Sequence, residues 1–307
     1  MQVHRDIENL PSFKNAVITI GTFDGVHLGH QKIINALCEE SKKINGESVI
    51  ITFHPHPKKI VQPHYSLQLL NTLDEKVSLL EEKNIDHLVI VPFTVDFSEL
   101  PAEAYIEEFL IRKFHPHTII IGYDHHFGKE RKGNLVLLEQ EQKKWKYKLI
   151  EIPKHILNEI GISSTKIRNS IINSQIEKAN ELLGYDFFFT GKVIEGDKIG
   201  RTLGYPTANL QYTDDDKIHL GEGVYAVEVE VMGFKKKGML SIGTRPTLDD
   251  VDTRTEVNIF DFDSEIYGAE LKVIVHAFLR EQIKYNDLKE LTRQLHNDRE
   301  AALQKLS

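Results

Sequence analysis

The sequence lacks several features that mark whole classes of proteins. It contains one cysteine, Cys38, so no disulfide can form within the chain, and we expect a cytoplasmic protein. The N-terminal stretch MQVHRDIENLPSF has no cationic segment followed by an apolar core, so we expect no secretory signal. No apolar run approaches the roughly 18 residues of a membrane span, so we expect no membrane partner.

The chain is also short of positive charge. Lysine and arginine together number 38 against 46 aspartates and glutamates, which gives a formal net charge of -8. Broad affinity for nucleic acid depends on clustered cations that neutralise phosphates, so we expect no nucleic-acid partner. A hydrophobic content of 40% is typical of a soluble globular protein, and 307 residues exceed one typical core. We therefore expect two domains, whereas these patterns indicate no particular oligomeric state.

The first half alternates short β-branched runs with helical patterns. The runs between Ala16 and about Ile152 are AVITI, SVIIT, HLVIVP, TIIIG and YKLIEI. Strands that are buried on both faces have this composition. The segments QKIINALCEESKKI and AEAYIEEFLIRKF lie between them and have the apolar spacing of crossover helices. This half is predicted to form an open, doubly wound parallel α/β sheet.

The pattern changes after the helical segment SQIEKANELL, where Gly184 predicts a helix end. The strands predicted beyond it, without helices between them, are FFFTGKVI, GVYAVEVEV, KGMLSIG, RTEVNIFDF and AELKVIVHAFL. We predict a small β-barrel or sandwich followed by a C-terminal helix from Asn286 to Leu306. One face of that helix carries Leu288, Leu291, Leu295, Ala302 and Leu306. The domains are accordingly predicted to be residues 1–184 and 185–307.

A glycine-rich motif, ITIGTFDGVHLGHQ, follows directly on the first predicted strand. In an open α/β sheet, ligands bind at the carboxyl ends of the strands. A helix that begins near Gly29 directs the positive end of its dipole to that place, and His27 and His30 add hydrogen-bond donors for a phosphate. The glycines that allow backbone amides to approach a ligand are Gly21, Gly25 and Gly29. The motif therefore predicts an anion site, although its spacing is neither that of a Walker loop nor that of a Rossmann dinucleotide loop.

The combination of strand end, HxGH and helix resembles the nucleotidyltransferase superfamily, and GTFDGVHLGHQ resembles the first motif of the prokaryotic FAD synthetases. Three further segments match that family in order: TFHPHP, GYDHHFGKERKG and ISSTKIR. The resemblance implies that this half joins FMN to AMP from ATP, with release of pyrophosphate. It implies catalytic roles for His27 and His30.

The same resemblance implies two sets of ligand contacts. ATP would be bound by Gly21, Phe23, Asp24, Gly25, Gly29, Ser163, Ser164, Thr165 and Arg168. Flavin would be bound by His56, Asp124 and Phe127. The three hydroxyl residues can also cap a helix whose free amides would hold a polyphosphate. A zinc site made of His27, His30, His54 and His56 is the alternative interpretation of the HPHP segment, although its two prolines favour an extended loop.

A second glycine-rich segment, GKVIEGDKIGRTLGYPTANL, lies between two predicted strands of the other half. Long loops inside a compact domain are often functional. Thr207 and Asn209 alternate along an extended segment, so both can face one ligand. A hydroxyl and an amide oxygen are hard ligands that suit Mg²⁺. The segment therefore predicts a magnesium site.

PTAN resembles the magnesium-ATP motif of the riboflavin kinases, and SIGTRPTLDD, RTEVNIFDF, IYGAEL and FLREQIKYNDLKELTRQLHND match that family in order. The resemblance implies that Glu256 is the catalytic base and that Arg280 and Glu281 contact the flavin. The residues implied for ATP and Mg²⁺ are Gly200, Arg201, Pro206, Thr207 and Asn209. The order of the two halves resembles that of the bifunctional bacterial riboflavin kinase/FAD synthetases. It implies that ATP and riboflavin give FMN, and that ATP and FMN give FAD.

Two alternatives to this interpretation differ in function. The first is an adenylyltransferase of the same superfamily with another acceptor, such as phosphopantetheine, in which the β-rich half only binds a ligand. PTAN and Glu256 argue against it. The second is a flavin-binding regulatory protein with inactive sites, and the intact histidine pair and PTAN segment argue against that one.

Overall fold

The structure is a computed structural model that describes residues 1–154, 161–196, 200, 203–246, 251–285 and 287–307. By their contacts the residues divide into two units, Met1–Ser164 and Thr165–Ser307. No helix among these described residues is long and apolar enough to cross a membrane.

The first unit is built on a six-stranded parallel sheet. Its strands are β1 (Gln2–His4), β2 (Val17–Ile20), β3 (Ser48–His54), β4 (His87–Pro92), β5 (Thr118–Gly122) and β6 (Lys148–Ile152). Their order in the sheet is β1-β4-β3-β2-β5-β6, and every pairing is parallel. The five predicted strands are confirmed, and β1 is an additional edge strand. Its three residues are too few to show a strand pattern in the sequence.

Helices connect the strands, as the alternating pattern predicts. They are α1 (Leu28–Lys43), α2 (Pro57–Val61), α3 (Leu73–Glu81), α4 (Val95–Ser98), α5 (Ala102–Ala104), a π-helix (Tyr105–Ile111), α6 (Arg112–Phe114), a 3₁₀ turn (Lys129–Arg131) and α7 (Leu135–Trp145). The segment AEAYIEEFLIRKF is helical as predicted, but its middle is a π-helix that buries Tyr105 and Phe109 in an aromatic cluster.

The strand order creates a ligand crevice beside β2. The chain runs from β2 to β3 on one side and returns later to β5 on the other, so connections leave the sheet in opposite directions at this point. Such a switch point opens a crevice at the carboxyl ends of the strands. The segments that begin GTFDG, HPHP and YDHHFG follow β2, β3 and β5. The sheet thus brings three of the sequence motifs to one edge.

The second unit is a closed antiparallel barrel with helices. It contains α8 (Ser164–Ile172, whose first residue belongs to the first unit), α9 (Ile176–Leu183), β7 (Phe187–Ile194), β8 (Ala208–Tyr212), β9 (Gly223–Val231), β10 (Phe234–Pro246), β11 (Val251–Ile259), β12 (Glu270–Arg280) and α10 (Leu288–Lys305). The barrel order is β10-β11-β8-β7-β12-β9. A barrel, and not a sandwich, is therefore formed, and closure pairs both edges of the sheet.

The C-terminal helix α10 is confirmed, but its buried face differs from the predicted one. Leu295, Ala302 and Leu306 pack on an apolar cluster that includes Met239 and Phe260, as does Leu303, which the predicted face omitted. Leu288 lies in the first turn with 63% of its surface exposed. The first turn of α10 is therefore exposed at Leu288, because the cluster contacts later turns of the helix.

Helix α9 is attached to the barrel. The Asn180 side chain donates to Asp186 Oδ1 and to the Val275 carbonyl, both at 2.9 Å, and accepts from the Phe187 amide at 2.8 Å. Gly184 ends the helix with a φ of 77°, as predicted. A domain boundary at residue 184 remains a prediction, because the sequence pattern changes there while the contacts of α9 belong to the barrel.

Two fragments test where the second domain begins. We expect residues 165–307 to unfold at a midpoint about 10 °C or more above that of residues 185–307. The longer fragment keeps the apolar face of α9, which includes Leu182 and Leu183, and a buried leucine contributes roughly 1.5–3 kcal/mol. Thermal unfolding followed by circular dichroism measures both midpoints. Equal midpoints would support the boundary at residue 184.

Candidate active sites

The loop between β2 and α1 has an unusual backbone. Phe23, Gly25 and Val26 have φ values of 47°, 87° and 36°. A positive φ is an outlier for a β-branched residue such as Val26, and strained backbone of this kind clusters at ligand sites. The Gln31 side chain donates to the Val26 carbonyl at 3.0 Å and so ties the loop to the first turn of α1.

Inward-facing carbonyls anchor this loop to the protein. The Thr22 carbonyl accepts hydrogen bonds from Lys76 Nζ at 2.8 Å and from Thr52 Oγ1 at 3.1 Å. The Asp24 carbonyl accepts from Ser164 Oγ at 3.1 Å. The loop is therefore anchored at two of its carbonyls, by side chains from β3, α3 and the start of α8.

Two predicted ATP residues of the loop are buried. Phe23 and Asp24 each expose 2% of their surface. Asp24 Oδ1 accepts from the Leu70 amide at 2.9 Å, and the Phe23 ring lies 5.2 Å from the His30 ring. Their side chains therefore shape the loop from the inside, and their contacts with ATP remain predictions.

The two histidines of the motif form a stacked pair at the start of α1. Their ring centroids are 3.7 Å apart, with an angle of 14° between the planes. His27 is the N-cap of the helix, where its Nδ1 accepts from the His30 amide at 3.3 Å. A Cβ at Gly29 would lie 3.2 Å from the His27 ring, so glycine leaves room for this arrangement. The HxGH spacing thus sets both rings on the helix end.

The environment of His30 favours a neutral imidazole. Burial lowers the pKa of His30 well below its ordinary value, and the neighbouring His27 and Lys76 lower it further. His30 Nδ1 is buried and has no hydrogen-bond partner in the part of the chain that the structure describes. The His30 ring therefore has a nitrogen, Nδ1, whose hydrogen-bonding ability no described residue uses.

The other predicted residues of the first half lie in different surroundings. His56 is the N-cap of α2, where its Nδ1 accepts from the Lys58 amide at 3.2 Å, and Asp124 is exposed. Phe127 is buried in the core, with its ring stacked 4.9 Å from that of Tyr105. The Phe127 ring therefore serves packing in this structure, and the three flavin contacts remain predictions.

The ISSTKIR segment forms the start of α8, which begins at Ser164 as the hydroxyl pattern predicts. Ser163 precedes the helix, while Thr165 and Arg168 belong to the second unit. Their contacts with ATP remain predictions. No group of three His, Cys, Asp or Glu side chains within the described ranges could hold a metal ion. The zinc interpretation therefore finds no support in the described histidines.

The second site joins two distant motifs through strand pairing. Strand β11 places Glu256 directly opposite Asn209 of β8. Thr207 Oγ1 donates to Glu256 Oε2 at 3.3 Å. The register therefore unites a hydroxyl, an amide and a carboxylate, which are three of the predicted kinase residues.

Neighbouring residues hold this second cluster in place. Asn258 is buried, and its side chain donates to the Pro206 carbonyl at 2.7 Å. A Cβ at Gly196 would clash with the Asn209 side chain, and a Cβ at Gly200 would clash with the Tyr205 carbonyl. These close approaches account for glycines in the segment. Arg201 lies outside the described residues.

Arg280 and Glu281 occupy the end of β12. The Arg280 guanidinium binds buried Asp298 of α10 through two hydrogen bonds of 2.8 and 2.6 Å, and it donates to the Glu281 carbonyl at 2.8 Å. Arg280 thus connects the barrel to its C-terminal helix, and Glu281 is exposed. Their flavin contacts remain predictions.

Two residues of these sites escaped the sequence analysis. In the sequence, Lys76 is one of the charged residues of an amphipathic helix. Nothing in the pattern of α3 indicates that the Lys76 side chain contacts the loop after β2. Asn258 carried a clearer signal, because it lies two residues beyond Glu256 in a strand and so shares a face with it. Only the strand pairing shows which backbone carbonyl it meets.

Comparison with known proteins assigns the chain to a family. Residues 10–166 match the family model of FAD synthetase, and residues 183–306 match that of riboflavin kinase. The bifunctional riboflavin kinase/FMN adenylyltransferase of Buchnera aphidicola subsp. Schizaphis graminum is 37% identical over 97% of this chain and 96% of its own. The enzyme of the same name from Listeria monocytogenes serovar 1/2a is 36% identical over 92% of this chain and 90% of its own.

A solved structure shares the whole fold. A crystal structure described as that of a macrolide-efflux protein from Streptococcus pneumoniae is similar with a TM-score of 0.87 and 29% identity, over 98% of this chain and 97% of that one. The two halves of the present chain match the two family models in the order FAD synthetase, then riboflavin kinase. The chain therefore belongs to the bifunctional riboflavin kinase/FMN adenylyltransferase family: it phosphorylates riboflavin to FMN and transfers AMP from ATP to FMN to form FAD.

Proposed function

We propose that adenylyl transfer takes place at the loop that carries His27 and His30, and phosphorylation at the cluster of Thr207, Asn209 and Glu256. The observation that carries the proposal is the convergence of each set in the fold: the imidazoles stack at 3.7 Å, and Thr207 lies 3.3 Å from Glu256. The family assignment rules out both alternatives from the sequence analysis, namely an adenylyltransferase with an acceptor other than FMN and a flavin-binding regulatory protein with inactive sites.

At the first site, an oxygen of the FMN phosphate attacks the α-phosphorus of ATP and pyrophosphate leaves. Both reacting groups are anionic, so binding depends on donors and positive potential. The N-terminus of α1 and the two imidazoles supply these, and Gly29 permits the stacked rings. His27 and His30 donate to the phosphate oxygens as charge moves to the leaving group. No base is needed, because the attacking phosphate oxygen is already ionised near neutral pH.

Replacing either histidine tests this site. We expect His27→Asn and His30→Gln to lower FAD formation from supplied FMN by roughly 10² to 10³, since each removes one preorganised donor. Asparagine retains an N-cap acceptor, so α1 keeps its start. Chromatography of the flavins measures the rate. Riboflavin phosphorylation by the same preparation is the control, and unimpaired FAD formation in both variants would exclude the loop as the site of transfer.

At the second site, the primary hydroxyl of riboflavin attacks the γ-phosphorus of ATP. This hydroxyl must lose its proton as the bond forms, and Glu256 is the carboxylate that accepts it. In the free protein Glu256 accepts the Thr207 hydroxyl, so the carboxylate is oriented before substrate arrives. Asn258, which holds the Pro206 carbonyl, keeps PTAN against β11.

Replacing the carboxylate tests the proposed base. We expect Glu256→Gln to lower riboflavin phosphorylation by roughly 10² to 10⁴, which is the usual contribution of general acid–base catalysis. FMN supplied directly should become FAD at a near-normal rate. Glu265→Gln, an exposed glutamate before β12, is the matched control. A Glu256→Gln enzyme that phosphorylates riboflavin normally would show that another group takes the proton.

The oxygen ligands of the second cluster fit Mg²⁺. Thr207 and Asn209 offer hard donors beside a carboxylate, and Mg²⁺ commonly takes few protein ligands together with water and substrate phosphates. Such a site does not need the group of three acidic or histidine ligands that the described residues lack. When bound, Mg²⁺ neutralises the charge of the ATP phosphates. Thr207 and Asn209 would hold it.

A magnesium titration tests these ligands. We expect Thr207→Val, which keeps the shape but removes the hydroxyl, to raise the Mg²⁺ concentration for half-maximal kinase activity about tenfold, since one good ligand bond is worth roughly 1.4 kcal/mol or more. Thr213→Val, just beyond the other end of β8, is the control. The same Mg²⁺ requirement in wild type and Thr207→Val would remove Thr207 from the set.

The thiol supports the proposed cytoplasmic location. Cys38 forms no disulfide, and burial raises its pKa, which keeps it in the unreactive thiol form. The small molecules ATP, riboflavin and FMN account for the partners that this function needs.

A further inference from the structure

Lys76 is a buried cation beneath the loop that carries the histidine pair. It exposes 6% of its surface, and lysine is rarely buried without a partner. Its Nζ donates to the Thr22 carbonyl at 2.8 Å. A capping box between Thr72 and Glu75, with hydrogen bonds of 3.0 and 3.2 Å, fixes the start of α3. The helix therefore delivers Lys76 to the loop from a rigid support.

The groups that face Lys76 come from the loop and from α1. Burial lowers the pKa of Lys76, while the Asp24 carboxylate, itself buried in the loop, favours the charged form. On the helix side, His30 is close enough for the Lys76 charge to act on it. The Asp24 carboxylate and the His30 imidazole are therefore the two groups whose electrostatic interaction with Lys76 the structure shows.

We propose that Lys76 is a positioning residue of the adenylyltransferase site, which holds the Thr22 carbonyl inward and supplies a fixed positive charge beneath the stacked histidines. This inference rests on the proposed roles of His27 and His30. Holding the Thr22 carbonyl inward fixes the backbone of the loop that precedes the histidine pair. The charge adds to the positive potential at the N-terminus of α1, while the ammonium group itself is engaged by the Thr22 carbonyl.

The charge also affects the protonation of His30. Burial is the main cause that lowers the pKa of His30, and His27 and Lys76 lower it further, so removal of the Lys76 charge raises that pKa while burial still holds it below its ordinary value. His30 is then protonated at a higher pH than in the wild type. A cationic His30 ring, stacked 3.7 Å from the His27 ring, makes protonation of His27 less favourable and weakens the stacking. The site should therefore lose activity at a higher pH when the lysine charge is absent.

Three substitutions at Lys76 separate its charge from its hydrogen bond. Lys76→Arg keeps the charge, Lys76→Gln keeps a donor without charge, and Lys76→Met removes both. Lys43→Met is the matched control, because Lys43 is an exposed lysine at the end of α1. FAD formation from supplied FMN is measured from about pH 5 to pH 8, which spans the titration of histidine. Riboflavin phosphorylation is measured in parallel.

We expect Lys76→Met to lower kcat/KM for FAD formation about ten- to a hundredfold at neutral pH, which is the usual effect of losing a hydrogen bond to a charged group. The acid limb of its pH profile should move toward pH 6.5, and so should that of Lys76→Gln. Lys76→Arg and Lys43→Met should keep the wild-type limb. NMR titration of the His30 Cε1–H signal, assigned with His30→Gln, should show the same shifts in midpoint.

Two results would overturn the inference. One is an unchanged acid limb and His30 midpoint in Lys76→Gln and Lys76→Met. The other is an equal loss of activity in Lys76→Arg and Lys76→Met, which would reduce Lys76 to a packing role. If His27→Asn and His30→Gln form FAD normally, the proposed site itself fails, whatever the Lys76 variants do. Lys76→Gln carries the test if Lys76→Met does not fold.

Discussion

Strand register is the constraint on which both active sites depend. Parallel pairing of β2 with β3 and β5 brings the carboxyl ends of three strands to one edge, where the loop of the first site begins. Antiparallel pairing of β11 with β8 sets Glu256 opposite Asn209. In a strand, a shift of one residue turns every side chain to the other face. In another register Glu256 would not face Asn209, and the loop of the first site would leave the sheet at a different place.

The two sites are built for opposite problems at phosphorus. Adenylyl transfer unites two anions, and the loop proposed for it presents a helix N-terminus and two imidazoles, while the buried carboxylate of Asp24 accepts a hydrogen bond from the Leu70 amide. Phosphorylation of riboflavin needs removal of a proton from a hydroxyl, and the second site places a carboxylate at its centre. The difference in chemistry explains why one site is rich in donors and the other in oxygen acceptors.

In both units, polar side chains outside the reacting set support a backbone carbonyl of the functional segment. Lys76 and Thr52 hold the Thr22 carbonyl, and Asn258 holds the Pro206 carbonyl. A buried polar group without a partner is costly, so each support also stabilises the fold. The residue that positions a site is therefore hard to separate from one that only stabilises it, unless a charge-sensitive property such as a pH profile is measured.

Local pattern determined much of this protein. The five longer parallel strands, five of the six barrel strands and the helix end at Gly184 were predictable from spacing, whereas β8 lay inside a segment predicted as a loop. The family motifs supplied the candidate residues His27, His30, Thr207, Asn209 and Glu256. They are local features, since a strand, a cap or a motif extends over few residues. Tertiary structure alone decided the edge strand β1, the core position of Phe127, the pairing of Arg280 with Asp298, the exposure of Leu288 and the contacts of Lys76 and Asn258. Each of these depends on which distant segments pack together. The sequence around a residue does not indicate which backbone carbonyl, carboxylate or ring from another segment the fold will place against its side chain.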